Sequence, residues 1–236
     1  MIDTPKETPE STDAVVVLSG GQDSTTCLYH ARRRHPHIHA ITFAYGQRHQ
    51  SELSASRLIA RMAGVATHRV VDLSPYGALV ASALTDPKLP VAPEGGMGNL
   101  PSTFTPGRNL VFLTIAASWA VSMGAWEVYT GVCQTDYSGY PDCRLETIAA
   151  LEVAINLGLP EGHGICFDTP LMHMTKAETV KLAASLDGCM EALAESVTCY
   201  HGKVPGCGTC PACVLRAKGF AEAGIADPAQ PQHVLR

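Results

Sequence analysis

Ala14-Val15-Val16-Val17-Leu18-Ser19-Gly20-Gly21-Gln22-Asp23-Ser24 is the stretch that decides how this chain folds. Its apolar half reads as a buried strand, and it runs straight into paired glycines and then a helix. The glycines let the main chain bend into left-handed conformations and approach a ligand closely. Free backbone N–H groups and the positive end of the helix dipole then favour an anion, most often phosphate. No lysine follows the glycines, so this is not the Gly-Lys-Ser/Thr loop of γ-phosphoryl transfer. The Gly-x-Gly-x-x-Gly spacing of dinucleotide sites is also absent.

Outward from the loop, the pattern alternates. Ser24 to Arg34 reads as a helix with Ser24 as its N-cap, Ile38 to Phe43 as a strand and Ser51 to Ala63 as a helix. Thr67 to Val71, closed by Asp72, reads as a third strand; Leu110 to Met123 is a buried helix, Glu127 to Val132 a strand and Arg144 to Leu157 a helix. Such alternation predicts an α/β fold with a doubly wound, mainly parallel sheet, and ligands in such sheets bind beyond the carboxyl ends of the strands. The Pro- and Gly-rich run from Thr85 to Gly107 has no helical or strand period and reads as a long functional or disordered loop.

The chain has 236 residues, 46% of them hydrophobic and 17% charged, with a net charge of −5. That size suits one α/β domain with appendages, and the charge offers no overall basic footprint for nucleic acid or anionic membrane. Met1 to Asp13 is polar and acidic, without a basic start or an apolar core, and reads as a disordered tail rather than a signal peptide. Leu110 to Trp126 carries Thr114, Ser118 and Ser122 and falls short of a membrane span. The expected divisions are a tail over 1–13, an α/β domain carrying the glycine loop over 14–186, a cysteine-containing subdomain over 187–225 and a frayed end over 226–236. A cytoplasmic location is expected.

Of nine cysteines, Cys27, Cys133, Cys143, Cys166 and Cys189 are scattered singly and read mostly as small hydrophobes. Cys199, Cys207, Cys210 and Cys213 instead form a Cys-x7-Cys-x2-Cys-x2-Cys array, with Pro205, Gly206 and Gly208 supplying turns. Four soft sulfurs at this spacing suit one structural zinc ion, an iron–sulfur cluster and unliganded thiols being the rival readings.

The Ser19–Ser24 hexapeptide resembles the Ser-Gly-Gly-x-Asp-Ser loop of the PP-loop ATP pyrophosphatase superfamily. Four further segments, in matching order, resemble its 7-cyano-7-deazaguanine synthase branch: Phe43 to His49, Phe104 to Asn109, Gly131 to Arg144, and Pro170 to Glu178. The resemblance implies the superfamily's Rossmann-like fold and a small C-terminal zinc subdomain. It also implies ATP-dependent conversion of 7-carboxy-7-deazaguanine and ammonia to the 7-cyano product, by a homodimer.

A carboxylate is a poor electrophile, so its oxygen must become a leaving group, which adenylation achieves; loss of water from the resulting amide needs a second activation. On this reading Ser19, Gly20, Gly21, Asp23 and Ser24 cradle phosphates, with Mg2+ countering the charge. The wider nucleotide contact runs over Leu18, Gln22, Thr25, Thr26, Cys27 and Leu28. Ser19, Asp23, Ser24 and Lys176 are the candidate catalytic residues, Lys176 either reaching the α-phosphate or lying solvated at a helix start. Tyr45, Gln47, Arg48, His49, Arg108, Asn109, Asp136, Tyr137, Ser138, Tyr140 and Asp142 are the candidate substrate contacts. Among them, Arg48 and Arg108 would grip anionic oxygens unless they are surface arginines. Asp136 and Asp142 would accept N–H donors from the guanine-like edge. Tyr137, Tyr140 or Phe104 would stack on the heterocycle or else fill core, and His49 is a general base or a structural hydrogen-bonder.

Two other classes compete. A PP-loop tRNA thiolase would carry a basic surface and reactive thiols outside a closed metal site, and a non-catalytic zinc-containing nucleic-acid binder would also be basic. The acidic balance disfavours both, so no nucleic-acid or membrane partner is expected. A variant acting on a related deazapurine or on a protein is open.

Overall fold

The computed structural model describes residues 12–48, 50–92, 94, 96–135 and 139–230. A parallel sheet of five strands forms the centre: β1 (Asp13–Val17), β2 (His37–Ala44), β3 (Thr67–Asp72), β4 (Glu127–Tyr129) and β5 (Cys166–Asp168), in spatial order β3-β2-β1-β4-β5. The helices are α1 (Gln22–Ala31), α2 (Ser51–Met62), α3 (Ser74–Leu79), α4 (Arg108–Ser122), α5 (Leu145–Leu157), α6 (Lys176–Ala184), α7 (Cys189–Ala194) and α8 (Pro211–Ala223).

β1 sits in the middle, which is why Ala14, Val15 and Val16 are all fully buried. Its alternation splits the core. Ala14 and Val16 face a cluster with Leu28, Ile59, Val180, Leu193 and Phe220. Val15 faces the other, with Phe112, Leu113, Ala116 and Phe167. α6, α7 and α8 therefore join α1 and α2 over one face, while α4 and α5 cover the other. Strand order reverses direction between β1 and β4, so the loops leaving those two strands open a crevice at the carboxyl edge of the sheet.

Several expectations need adjusting. α1 starts at Gln22 with Gly21 as N-cap, so Ser24 lies inside the first turn and caps nothing. β4 ends at Tyr129, shorter than expected: the Thr130 N–H completes the pairing of Tyr129 with Asp168 by donating to the Asp168 carbonyl, and Gly131 then passes against α1. α4 begins at Arg108 because a distant side chain, Asp142, accepts from the Asn109 N–H at 3.1 Å. Asp227, in the stretch expected to fray, holds the buried Arg216 through bonds of 2.7 and 2.8 Å. Of the expected tail over 1–13, residues 1–11 lie outside the described residues while Asp13 opens β1 in register with His37; of the expected frayed end over 226–236, residues 231–236 lie outside them.

Candidate functional site

The crevice holds a cavity of about 490 Å³. At one end lies the glycine loop. Gly20 is left-handed at φ +89°, and a Cβ there would stand 2.5 Å from the Glu52 carbonyl oxygen and 2.8 Å from the Ser56 nitrogen. Only glycine lets the loop pack so closely on α2. The Ser24 hydroxyl accepts from the Ser19 N–H at 3.1 Å and lies 2.9 Å from the Ser19 hydroxyl, tying the loop into a closed ring over the α1 N-terminus. The first N–H groups of a helix lack intrahelical acceptors, so this ring presents donors and a positive dipole end to the cavity. Gly131, just past β4, also comes close, on α1: a Cβ there would be 3.0 Å from the Ser24 nitrogen.

Lys176 is not a solvated lysine. Its Nζ lies 2.7 and 2.9 Å from the two Asp23 carboxylate oxygens, and its side chain is 10% exposed. A capping box between Thr175 and Glu178 starts α6 at this residue, and Gly219 of α8 leaves room for its stem. The pair spans the cavity wall from α1 to α6.

The candidates sort into groups. Ser19, Gly21, Gln22, Asp23 and Ser24 line the cavity, and Leu18 closes its floor. Thr25, Thr26, Cys27 and Leu28 do not reach it; helical twist turns them into the core, where each is fully buried. Tyr45, Gln47, Arg48, Arg108, Asn109 and Tyr140 all line it. Gln47 closes its own loop by accepting from the Tyr45 N–H and donating to the Phe43 carbonyl. Arg48 is no surface arginine, yet its guanidinium donates to the carbonyls of Ala83, Pro87 and Leu89 and so clamps the long loop. Arg108 sits 5.9 Å from the Tyr45 ring centre, and its neighbours, Tyr45 foremost, hold its pKa above the ordinary range against burial.

Two assignments change. Asp142 is 5% exposed, is not among the residues that line the cavity and caps α4 through Oδ2, while its Oδ1 is buried without a hydrogen-bond partner among the described residues. Phe104 packs behind Tyr140 at 5.5 Å rather than entering the cavity. Tyr140 in turn is fixed by a hydroxyl contact to Thr103. His49, Asp136, Tyr137 and Ser138 lie outside the described residues.

Sequence reading missed Glu52 and Tyr200, which also line the cavity. Glu52 precedes Ser56 by four residues and Ile59 by seven, both fully buried, so a carboxylate on the inward stripe of α2 was the available signal. Burial pushes its carboxyl up to about 7, opposed only by Arg108. Nothing in the spacing announced Tyr200; it enters because the cysteine segment forms part of the wall.

In that segment the sulfurs of Cys199, Cys207, Cys210 and Cys213 all lie within 4.8 Å of one another. The Thr209 hydroxyl, then backbone N–H groups, hold the Cys207 thiol down at about 5, while burial pushes Cys210 up and Cys213 to about 12. Sulfurs this close, two of them resisting ionisation through burial, make a thiolate set that only a bound cation would stabilise. The donor set therefore fits a metal ion. Cys199 and Tyr200 also carry this site to the edge of the large cavity.

The family model described as queuosine biosynthesis protein QueC matches residues 13–224. This chain belongs to that family. It is 57% identical over 218 residues to a 7-cyano-7-deazaguanine synthase of Laribacter hongkongensis, covering 91% of this chain and 93% of the relative. It is 56% identical over 220 residues to the synthase of the same name from Chromobacterium violaceum, covering 91% and 92%. Among solved structures, a 4-thiouridine synthetase–RNA complex with bound ATP shares the fold at 20% identity and a TM-score of 0.50, over 90% of this chain and 50% of that one. Family membership separates this chain from the thiolase reading, which rested on the shared loop together with cysteines. No helix among the described residues is long and apolar enough to cross a membrane.

Proposed function

We propose that this chain is an ATP-dependent ligase that converts 7-carboxy-7-deazaguanine and ammonia to 7-cyano-7-deazaguanine, in queuosine biosynthesis. The observation that carries the reading is one cavity joining the glycine-loop anion cradle to a chamber walled by Tyr45, Phe112 and Tyr140, with the Arg108 guanidinium beside the Tyr45 ring. The cradle suits the phosphates of ATP with Mg2+, and the absence of a Gly-Lys-Ser/Thr loop suits attack at the α-phosphorus, releasing pyrophosphate. The aromatic chamber suits a flat heterocycle, with Arg108 held for an anionic oxygen.

The carboxylate attacks the α-phosphorus, ammonia displaces AMP to leave an amide, and the amide oxygen is adenylated in turn before AMP departs and nitrile remains. Loop donors stabilise the departing pyrophosphate in both activations. Ser19 and Ser24 hold the cradle closed, and the Asp23–Lys176 pair places a cation beside it. Zinc in the four-cysteine site would be structural, holding the wall that carries Tyr200. The test is incubation of the purified protein with 7-carboxy-7-deazaguanine, ammonium and Mg-ATP. The 7-cyano compound with AMP and pyrophosphate is expected by mass analysis; unchanged deazapurine would reject the reading.

A further inference from the structure

The ligase reaction needs a proton acceptor for nitrogen. Forming the amide leaves a surplus proton on nitrogen, and forming the nitrile removes N–H protons from an activated amide, yet the loop N–H groups, Lys176 and Arg108 are donors, and both oxygens of the Asp23 carboxylate are engaged by Lys176. Glu52 is placed to answer that need. It stands in the first turn of α2, its backbone carbonyl against Gly20 of the loop, and it lines the cavity that holds Ser19, Asp23 and Arg108. Among the described residues its carboxyl has no hydrogen-bond partner.

We propose that Glu52 is the proton acceptor for nitrogen in both halves of the ligase reaction, an inference that rests on the function proposed above. In the first half, ammonia's lone pair forms the C–N bond, AMP leaves with the C–O pair, and the surplus N–H proton passes to the Glu52 carboxylate. In the second, adenylation of the amide oxygen leaves a cationic NH2 group; Glu52 takes one of its protons to give the neutral imidate, passes it to solvent, and then takes the remaining proton from the imidate nitrogen. That N–H electron pair becomes the third C–N bond, and AMP departs with the C–O pair. Glu52 returns each proton to solvent between steps, so no oxidant or further reactant is needed.

The surroundings favour this use. Arg108 on α4 is the cation that faces Glu52, while Tyr45 beyond β2 and Tyr200 in the cysteine segment face it as phenols kept neutral by burial. Tyr140, Asp23, Arg48 and Lys176 line the rest of the same cavity. Burial pushes the carboxyl to about 7, where it can both take and release a proton at neutral pH.

The test compares E52Q with the wild type in two assays. Pyrophosphate exchange into ATP, driven by 7-carboxy-7-deazaguanine without ammonia, needs no proton acceptor and is expected to survive. Conversion of the 7-amido compound to nitrile is expected to fall in kcat by about 10²- to 10⁴-fold, as for loss of a general base. Glu52→Asp is expected to restore part of it. In the wild type, amide-to-nitrile kcat should fall as pH drops through about 7. A flat profile there overturns the proposal without recourse to any variant. So does an E52Q enzyme that raises KM for the deazapurine with kcat unchanged, since that marks recognition. A wild type that shows neither exchange nor nitrile rejects the ligase reading itself; a wild type that makes nitrile beside an unimpaired E52Q rejects only the role of Glu52.

Discussion

Asp23 and Lys176 show how a side chain serves chemistry and stability together. Nothing in their 153-residue separation links them, yet the pair closes one wall of the cavity with both carboxylate oxygens engaged. Lys176→Met should abolish most nitrile formation in steady-state assays. It should also cost about 2 kcal/mol in urea unfolding, because Asp23 then stays at the site without its partner. Wild-type turnover in that variant would show the lysine to be only a tether. Glu52 gives the opposite signature. Its folded pKa lies above that of an exposed glutamate, so its contribution to stability is full below about pH 4.5 and is lost as pH rises through about 7. The difference amounts to about 3 kcal/mol at most. Glu52→Gln should remove that decline, seen as urea midpoints that no longer fall between pH 5 and pH 7.

At the scale of elements, the strand–loop–helix junction was legible because its pattern is local. Five apolar residues, two glycines and a polar helix start specify it without help from elsewhere. The structure adds the reason for Gly20: its left-handed backbone and the α2 main chain leave no room for a methyl group. Gly20→Ala should therefore cost about 3 kcal/mol or more and weaken ATP use, readable as a lower melting temperature and a raised KM for ATP. A stable, fully active variant would mean the loop does not need this fit. What sequence could not supply were the long-range partners. The start of α4 depends on Asp142, and the Arg48 guanidinium donates to loop carbonyls, in both cases for reasons written far away in the chain. α6, α7 and α8 went largely unread because their apolar residues complete the core of β1 and α1 rather than forming a periodic face alone. The cysteine array was legible in its spacing, but its place beside the cavity was not. Cys210→Ser should lose about one zinc per chain by elemental analysis. It should also raise KM for the deazapurine, because Tyr200 loses its anchorage. Iron with acid-labile sulfide in the wild type would overturn the zinc assignment.

For the whole molecule, the strand order places a phosphate cradle and an aromatic chamber at one switch point, and the account asks that single cavity to activate two oxygens in succession. Each nitrile made from the acid should then consume two ATP. The direct measurement uses the 7-amido compound labelled with 18O at its amide oxygen, supplied with Mg-ATP and no ammonia. If the amide oxygen is itself adenylated, nitrile forms and the label appears in the phosphate of AMP, with pyrophosphate unlabelled. Nitrile formation with the label released to water would contradict the two-activation account, and so would failure to accept the amide by an enzyme that makes nitrile from the acid.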